Sequence, residues 1–537
     1  MEDASLKRAA LGERDGLQLR GHNPAHELRS SVVKRAGILR EDMYHSGSEP
    51  RRLDRPHRRR PLRVMKFGGT SVGNAGSIEK TVEIIRAAAR DSNLVVVVSA
   101  MSGVTDRLIE AAALSESGDS EQVAQILEEL HNQHNDVARA LIPSTAERSR
   151  IACKIQEMFR EGDHLCQGTI LLRELTQRAR DTISSLGERL SAPLVAATLA
   201  DRGVASEAID ATELVVTDSY HGASEPLMDL TLERCEARLR PLLHKGIVPV
   251  VTGYIGATPE GVPTTLGRGG SDYSATILGA VLDADEVIIW TDVDGVLTAD
   301  PRLVSGACTI PEISYREAAE LAYFGAKVLH PKTLRPLMQS EIPLWIRNTF
   351  APERPGTKIT VTGSPSGGRV KALTAISDVA LITVGGPGIV GVRDVLGRTF
   401  MTTGAVRADV LLVSQSSSQN DICFVVPSAV AKRTVEALRR EFARDLAHHD
   451  VEHITLDQNA AIVAVVGEKM HGIPGIVGRA FGALGRGNVN IVAIAQGSSE
   501  CNISFLVAKK DMKTALVAAH QEFQLGALHC LGSPEQE

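Results

Sequence analysis

The stretch Leu62–Val72, LRVMKFGGTSV, sets the reading of the chain. Its first six residues have the length and apolar character of a strand, and they run directly into a glycine pair. Helical periodicity follows over Ser77–Ala89. A strand that breaks on glycines and re-enters as a helix opens an α/β unit. The next apolar run, Leu94–Ser99 (LVVVVS), is a continuous β-branched tract, the mark of a strand buried on both faces. Long helical stretches extend to Arg180, and the apolar runs Leu194–Ala197, Ile247–Val251 and Val287–Trp290 are expected to be further strands. Strands alternating with helices predict an α/β fold, a mostly parallel sheet with helices on both faces.

Upstream of Leu62 the character changes. Residues 1–61 are polar and irregular, densest in arginine at Arg51–Arg60 (RRLDRPHRRR). They are expected to be a disordered extension, or sequence translated from an early start codon, with Met65 close to where the compact part begins. Residues 1–64 carry 15 Lys+Arg against 9 Asp+Glu, whereas the rest carries 44 against 56. The acidic body argues against nonspecific nucleic-acid binding, and the acidic residues of the arm argue against a transit peptide. The 3% aromatic content speaks against base-stacking platforms. The longest apolar run, Leu94–Val98, is far short of the roughly 20 residues of a membrane span. Seven scattered cysteines form no CxxC pair, so neither a disulfide framework nor a cysteine zinc site is expected. These features predict a cytoplasmic protein without membrane or nucleic-acid partners.

The C-terminal third repeats itself. Val410–Val426 (VLLVSQSSSQNDICFVV) aligns with Ile491–Val507 (IVAIAQGSSECNISFLV), with Gln415 and Gln496 in register at an offset of 81. The same offset joins Gly397–Phe400 (GRTF) to Gly478–Phe481 (GRAF), and Ala380–Val384 to Ala461–Val465. Each copy reads strand, helix, strand, tight turn, strand, helix, strand: a small α+β unit present twice, at about 372–455 and 456–537. Arg354–Gly368, rich in Pro, Gly and Ser, reads as the linker before them.

Four segments of the α/β part bring glycines and charges together. Lys66–Ser71 (KFGGTS) stands at a strand-to-helix turn. There glycine lets backbone N–H groups approach phosphate oxygens, and a lysine can offset charge on a transferring phosphoryl group. Leu266–Ser274 (LGRGGSDYS) precedes a helical stretch, Ala275–Val281. Its arginine can fork a carboxylate and its aspartate can receive an ammonium, while the plainer reading is a capped helix start. Thr291–Leu297 (TDVDGVL), continuing to Asp300-Pro301-Arg302, follows the run Val287–Trp290, and open α/β sheets bind ligands at such strand ends. It lacks the later glutamate of a calcium loop. Phe324–Pro331 (FGAKVLHP) offers Lys327, which alone reads as a solvated helix charge. No GxxxxGK[ST] occurs, so a P-loop is excluded. Gly386–Gly391 (GPGIVG) fits a dinucleotide fingerprint, but it falls inside the first repeat and the second lacks it. His131 and His134 share a helix face without a third ligand and read as a solvated helix.

Taken together, KFGGTSV, SAMSGVTD (Ser99–Asp106), GERLS (Gly187–Ser191), TTLGRGGSD, TDVDGV with ADPR, and FGAKVLHP closely resemble the aspartokinase family. The repeats resemble its paired ACT regulatory domains. The resemblance spans roughly residues 62–525, and AIAQGSSE and WTDVDGV are especially similar to the kinase half of bifunctional aspartokinase–homoserine dehydrogenases. The sequence ends just past the second repeat, which suggests a monofunctional kinase. The resemblance implies an amino-acid-kinase fold over 62–362, ACT-like repeats over 363–537, and transfer of the γ-phosphoryl of ATP, with Mg²⁺, to L-aspartate. The product would be 4-phospho-L-aspartate, the first step toward lysine, threonine and methionine. By the same resemblance Lys66 and Asp272 are catalytic, and Lys66, Gly68, Gly69, Thr291, Asp292, Leu297, Arg302, Lys327 and Val328 bind ATP, the two glycines as backbone donors. Ser99, Thr105, Glu188, Arg268, Ser271 and Asp272 would hold aspartate. Leu297 stands where the family usually has tyrosine. Gln415 and Gln496 would bind an effector, threonine first and lysine second, and the repeats would make a homo-oligomer.

Overall fold

The structure is a computed structural model, and it describes residues 60–325, 329–364, 370–386, 394–415, 421–468, 470, 473–496 and 501–526. β1 (Leu62–Phe67) lies near the middle of an eight-stranded sheet. The chain leaves it through a turn and starts α1 (Ala75–Ala88) at Asn74, whose side chain accepts from Ser77 N. β2 (Asn93–Val98) then pairs with β1 in parallel, from Leu62↔Asn93 to Phe67↔Val98. Four helices follow: α2 (Val104–Ser117), α3 (Ser120–Leu141), α4 (Thr145–Leu172) and α5 (Gln177–Asp201). β3 (Ser206–Ile209), α6 (Met228–Arg238), α7 (Arg240–His244) and β4 (Val248–Thr252) come next. β5 (Ile255–Ala257) and β6 (Pro263–Thr265) form a small hairpin that leads into α8 (Gly270–Val281). β7 (Glu286–Thr291) returns to the free edge of β1. β8 (Glu312–Ser314), α9 (Tyr315–Tyr323), α10 (Pro331–Ser340), β9 (Leu344–Asn348) and β10 (Thr357–Thr360) complete the strand order β3-β4-β2-β1-β7-β9-β10-β8.

Only β9 and β10 pair antiparallel in this sheet; the rest is parallel. The β-branched runs follow from this. One face packs Met65, Phe67, Val96, Val98 and Trp290 against α1–α5, and the other packs Val64, Val95, Val97, Val287 and Ile289 against α6–α10. A strand covered on both sides has no polar positions to alternate.

Three expectations change. Leu194–Ala197 is not a strand but part of α5, which is buried almost all round from Ile183 to Leu199. A short apolar run carries no period, and a helix without a solvent face shows no polar stripe. Inside the expected linker, Thr357–Thr360 is β10, with Thr357 and Ile359 turned into the core. His134 is not solvated: it is fully buried, its Nδ1 bonds Leu130 O at 2.6 Å, and burial pushes its pKa down to about 4.

The C-terminal third is built on one six-stranded antiparallel sheet. Its elements are β11 (Ala372–Gly385), α11 (Val395–Ala405), β12 (Leu412–Gln415), β13 (Asp421–Pro427), α12 (Ser428–Glu441) and α13 (Ala443–Ala447). They continue with β14 (His453–Val466), α14 (Ile476–Arg486), β15 (Ile491–Ala495), β16 (Asn502–Ala508) and α15 (Met512–Glu522). The strand order is β12-β13-β11-β14-β16-β15. The sequence offset reappears in three dimensions. Arg398 reaches Glu441 and lies over Phe442, and Arg479 reaches Glu522 and lies over Phe523. The copies nevertheless do not close separately, as the repeat predicts. β11 and β14 pair along their whole length, with the register shifting between Ile376 and Val379. Leu381–Gly385 meets His453–Asp457, and Ala372–Ile376 meets Ile462–Val466. The closing strand of the second copy therefore comes from the start of β11, at the beginning of the first. Equal strand length explains it: each 14-residue strand is twice what one copy needs.

The halves meet at Glu317, fully buried in the first turn of α9. Its carboxylate accepts from Ser314 N (2.8 Å), Lys371 Nζ (2.9 Å) and Glu468 N (2.8 Å). Thr374 Oγ1 donates to Phe324 O at 2.9 Å, and Thr298 Oγ1 meets His520 Nε2 at 3.0 Å. No helix among the described residues is long and apolar enough to cross a membrane.

Candidate active site

The C-terminal ends of β1, β2, β4, β6 and β7 converge on a cavity of about 910 Å³. In open α/β sheets this carboxyl edge is where ligands sit. Two helices begin there. α2 starts after Gly103 and α8 after Gly269, with φ of +80° and +72°, and neither has a side-chain cap. Glycine is required because left-handed backbone strains other residues. Val104 N and Gly270 N bond Met101 O and Gly267 O, and the next N–H groups of each first turn are left for an anion, which the helix dipole also favours.

Lys66, at the end of β1, forms an ion pair with Asp272 in the first turn of α8: Nζ to Oδ1 is 2.5 Å, with side chains 10% and 15% exposed. It is a charge contact rather than a well-directed hydrogen bond, and Asp272 Oδ1 has no donor at hydrogen-bond geometry. Glu188, from the buried α5, lines the same cavity, and its Oε2 is buried without a partner. Burial pushes its pKa up to about 8, against the opposing pull of the Ala100 N–H and of Lys66. Arg268 is exposed on the opposite loop and has no carboxylate partner among the described residues. Together these are one cation paired to a carboxylate, one cation without an anion among the described residues, and one carboxyl group with an unpartnered oxygen.

Of the residues the resemblance implies, Lys66, Gly68, Gly69, Ser99, Thr105, Glu188, Arg268, Ser271, Asp272, Thr291 and Asp292 line this cavity. Gly68 cannot act as a free backbone donor: its N–H already bonds Trp290 O at 3.0 Å, extending the β1–β7 pairing. A Cβ there would make ordinary contacts, 3.5 Å from Trp290 O and 3.6 Å from Lys66 Nζ, beside the lysine of the site. Leu297 and Arg302 do not reach the cavity. Leu297 bridges to Thr309, and Arg302, three-quarters exposed, forks onto Asp300 at 2.6 Å. Lys327 and Val328 lie outside the described residues. Gln415 and Gln496 are exposed at the ends of the edge strands β12 and β15, and the serine-rich turns after them are outside the described residues.

Two residues of the site escape the motifs. Asp181, buried on α5, accepts from His221 Nδ1 (3.0 Å), Gly222 N (2.9 Å) and Thr265 Oγ1 (2.7 Å), and so fixes one wall. Tyr254 lines the cavity in left-handed backbone at φ +69°. The available signal for Asp181 is helical spacing: Asp181, Ser184, Glu188 and Ser191 recur three or four positions apart as a buried polar stripe of α5. No group of three or more His, Cys, Asp or Glu among the described residues is placed to hold a metal. Asp292, exposed at the rim, is one carboxylate of the kind a hydrated Mg²⁺ carried on phosphates uses.

Residues 61–348 match the amino acid kinase family, and residues 382–442 and 463–523 each match the ACT domain. The chain is 36% identical over 469 residues to bifunctional aspartokinase/homoserine dehydrogenase 1 of Arabidopsis thaliana, covering 86% of this chain and 51% of that protein. It is 33% identical over 473 residues to the chloroplastic aspartokinase 1 of the same plant, covering 86% and 80%. The chain thus spans about half the length of the bifunctional plant relative. Among solved structures, Escherichia coli aspartokinase III in complex with aspartate and ADP is similar at a TM-score of 0.71 and 28% identity, over 86% of this chain and 99% of that one. The same enzyme in complex with lysine and aspartate gives a TM-score of 0.70, over the same shares.

Proposed function

The chain belongs to the amino acid kinase family and, within it, to the aspartokinases, and we propose that it transfers the γ-phosphoryl of ATP to the side-chain carboxylate of L-aspartate. The observation that carries this reading is the charge pattern of one cavity: Lys66 held by Asp272, Glu188 with one carboxyl oxygen left unpartnered, and Arg268 facing them. An α-amino dicarboxylate needs such a set. Arg268 forks its α-carboxylate, Glu188 and Asp272 receive its ammonium, and Ser99, Thr105 and Ser271 line its remaining surface. The acceptor carboxylate is ionised at neutral pH, so no general base is needed. The protein's task is to bring two anions together and offset their repulsion. Lys66 does so as Asp272 turns to the ammonium, and the open N-termini of α2 and α8 add backbone donors. Thr291, Asp292 and Gly69 support the nucleotide. Mg²⁺ bound on the phosphates would neutralise charge there, with Asp292 as its protein contact.

The assignment of Leu297, Arg302, Lys327 and Val328 to ATP rests on resemblance, and for Leu297 and Arg302 it requires the Val296–Ile310 segment to move toward the cavity. We take residues 62–362 as the catalytic part, 363–537 as the regulatory part and 1–61 as an extension outside both. The ACT pair would bind threonine or lysine near Gln415 and Gln496 and join chains into an oligomer. Similarity to an aspartokinase solved with lysine supports the effector class. A cytoplasmic setting is proposed from the sequence alone.

The test is an ATP-dependent hydroxamate assay with L-aspartate, repeated with threonine, lysine and methionine added. Arg268→Lys should raise the KM for aspartate strongly, because a point charge does not replace a fork. A worsened KM for ATP with an unchanged KM for aspartate would move Arg268 to the other substrate. Product from glutamate but none from aspartate would overturn the reading.

A further inference from the structure

On the sheet face that carries α1, a groove of about 1020 Å³ opens over β7 and β9. It shares no lining residue with the catalytic cavity. Parallel register aligns Met65 with Ile288 and Ile288 with Trp345, and one row further it aligns Trp290 with Arg347. Aligned residues of neighbouring strands share a face, so these side chains make a continuous floor. The helix α1 forms one wall, and Phe350 and Pro352 form the other.

Two features of this groove call for a ligand. The first is Trp290, which is 3% exposed and whose indole Nε1–H has no hydrogen-bond partner. A buried donor in this position is uncommon in a native structure. The second is charge. Arg347 is half-buried over the rings of Trp290 (5.7 Å) and Trp345 (5.5 Å). Among the described residues its hydrogen bond runs from Nε to Pro355 O at 3.2 Å, and the carboxylate whose charge reaches it, Glu286, makes its ion pair with Arg63 instead. Lys80 stands over Phe350 at 5.1 Å, also without a carboxylate. The acidic residues of the groove are already engaged: Glu286 with Arg63 (2.5 Å), Glu83 with Arg86 (3.4 Å) and Glu79 with Arg202 (3.8 Å). The two cations that lack a direct ion pair among the described residues, Arg347 and Lys80, stand beside an apolar and aromatic floor.

We propose that this groove binds a small amphiphilic organic anion. Its apolar body lies on Met65, Ile288 and Trp345, its carboxylate, sulfonate or phosphate head pairs with Arg347 and Lys80, and an acceptor oxygen takes the Trp290 N–H. The volume is that of a pocket for one drug-sized molecule. Cation–π contacts hold Arg347 in place before the anion arrives, which limits the ordering cost of binding.

The chain has two tryptophans, and both line this groove, so its intrinsic emission reports the site without a label. The experiment titrates the full chain with anilinonaphthalene sulfonate and, separately, with its uncharged counterpart N-phenylnaphthylamine. Saturable quenching at one sulfonate per chain is expected, with the uncharged probe bound at least roughly tenfold more weakly, a difference of about 1.4 kcal/mol. Arg347→Gln should weaken the sulfonate by a similar factor and leave the uncharged probe unchanged. Lys80→Gln, on the exposed wall, repeats the comparison without disturbing the indole stack, and should give a smaller loss in the same direction. Equal affinity for the two probes, or sulfonate binding indifferent to both substitutions, overturns the proposal. So does the absence of saturable quenching, whether residues 1–59 or a second copy of the chain fill the groove.

Discussion

Glu188 is the residue whose chemistry depends most on its surroundings. Burial holds its pKa at about 8, so the empty site keeps it protonated at neutral pH. A neutral carboxyl cannot pair with the ammonium of aspartate, so binding must first ionise it. Aspartate affinity should therefore improve as pH rises toward 8, with the KM growing by up to roughly tenfold per unit below it. The linkage to stability runs the other way. The folded value lies above the unfolded one, so this contribution is full below the unfolded value and is lost as pH rises through about 8. A flat KM profile between pH 6.5 and 8.5 in the wild type, or an unchanged slope in Glu188→Gln, would count against the assignment. Lys66→Ala should lower kcat by about 10²–10³, or ~3–4 kcal/mol, with the fold intact. Near-normal turnover in the purified variant would remove Lys66 from the chemistry. Both residues were legible because each stands inside a local motif. Asp181 was not, because its partners His221, Gly222 and Thr265 lie 40, 41 and 84 positions away, and no local pattern records them.

Elements built twice allow an internal comparison. In each copy an arginine near the start of the first helix grips the end of the second, donating to a carboxylate and to a terminal carbonyl. Cations are favoured there because helix C-termini carry unpaired carbonyls and partial negative charge. Arg398 also reaches Asp445 at 2.8 Å and is 29% exposed, whereas Arg479 is 54% exposed and adds no second residue. Arg398→Ala should thus lower the Tm by about 1–3 °C and Arg479→Ala by less, with the two effects adding because the cores differ. The reverse order in a calorimeter would show that the second carboxylate contributes nothing. Gln415 and Gln496 end the two edge strands, and replacing either by alanine should weaken inhibition by the effector while kcat without it stays constant. Coupling of this kind is typically ~1–3 kcal/mol, or about 5–150-fold. If the inhibition curves overlay, the glutamines do not touch the effector. Element types were legible wherever a period was long or a repeat supplied a second reading. They failed at Leu194–Ala197, where full burial erased the polar face of a helix. They failed again at Thr357–Thr360, where four residues sit among the turn formers of an apparent linker.

At the scale of the whole molecule, Glu317 joins the catalytic sheet to one end of the central strand pair of the regulatory one, where the start of β11 meets the end of β14. It takes Lys371, just before β11, and the amide of Glu468, just after β14, while closing the capping box of α9. Lys371 and Glu317 are 6% and 0% exposed, so removing one partner strands a buried charge. Glu317→Ala should cost about 3–5 kcal/mol of stability, and combining Glu317→Leu with Lys371→Met should recover much of it. Equal losses in the single and double variants would show that packing, not charge, decides the joint. Strand swapping inside the regulatory half was invisible in the sequence because an offset fixes which segments correspond, not which ones pair. It also has a consequence for how the protein is made. A ribosome releases Ala372–Ile376 about 90 residues before Ile462–Val466, its partner on the far copy, can leave the exit tunnel. At roughly 5–20 residues per second, this half-strand waits about 5–20 seconds as an unpaired β-edge. Open edges invite pairing with other chains, so this short segment, rather than any part of the active site, is where crowded synthesis should first produce tangled product.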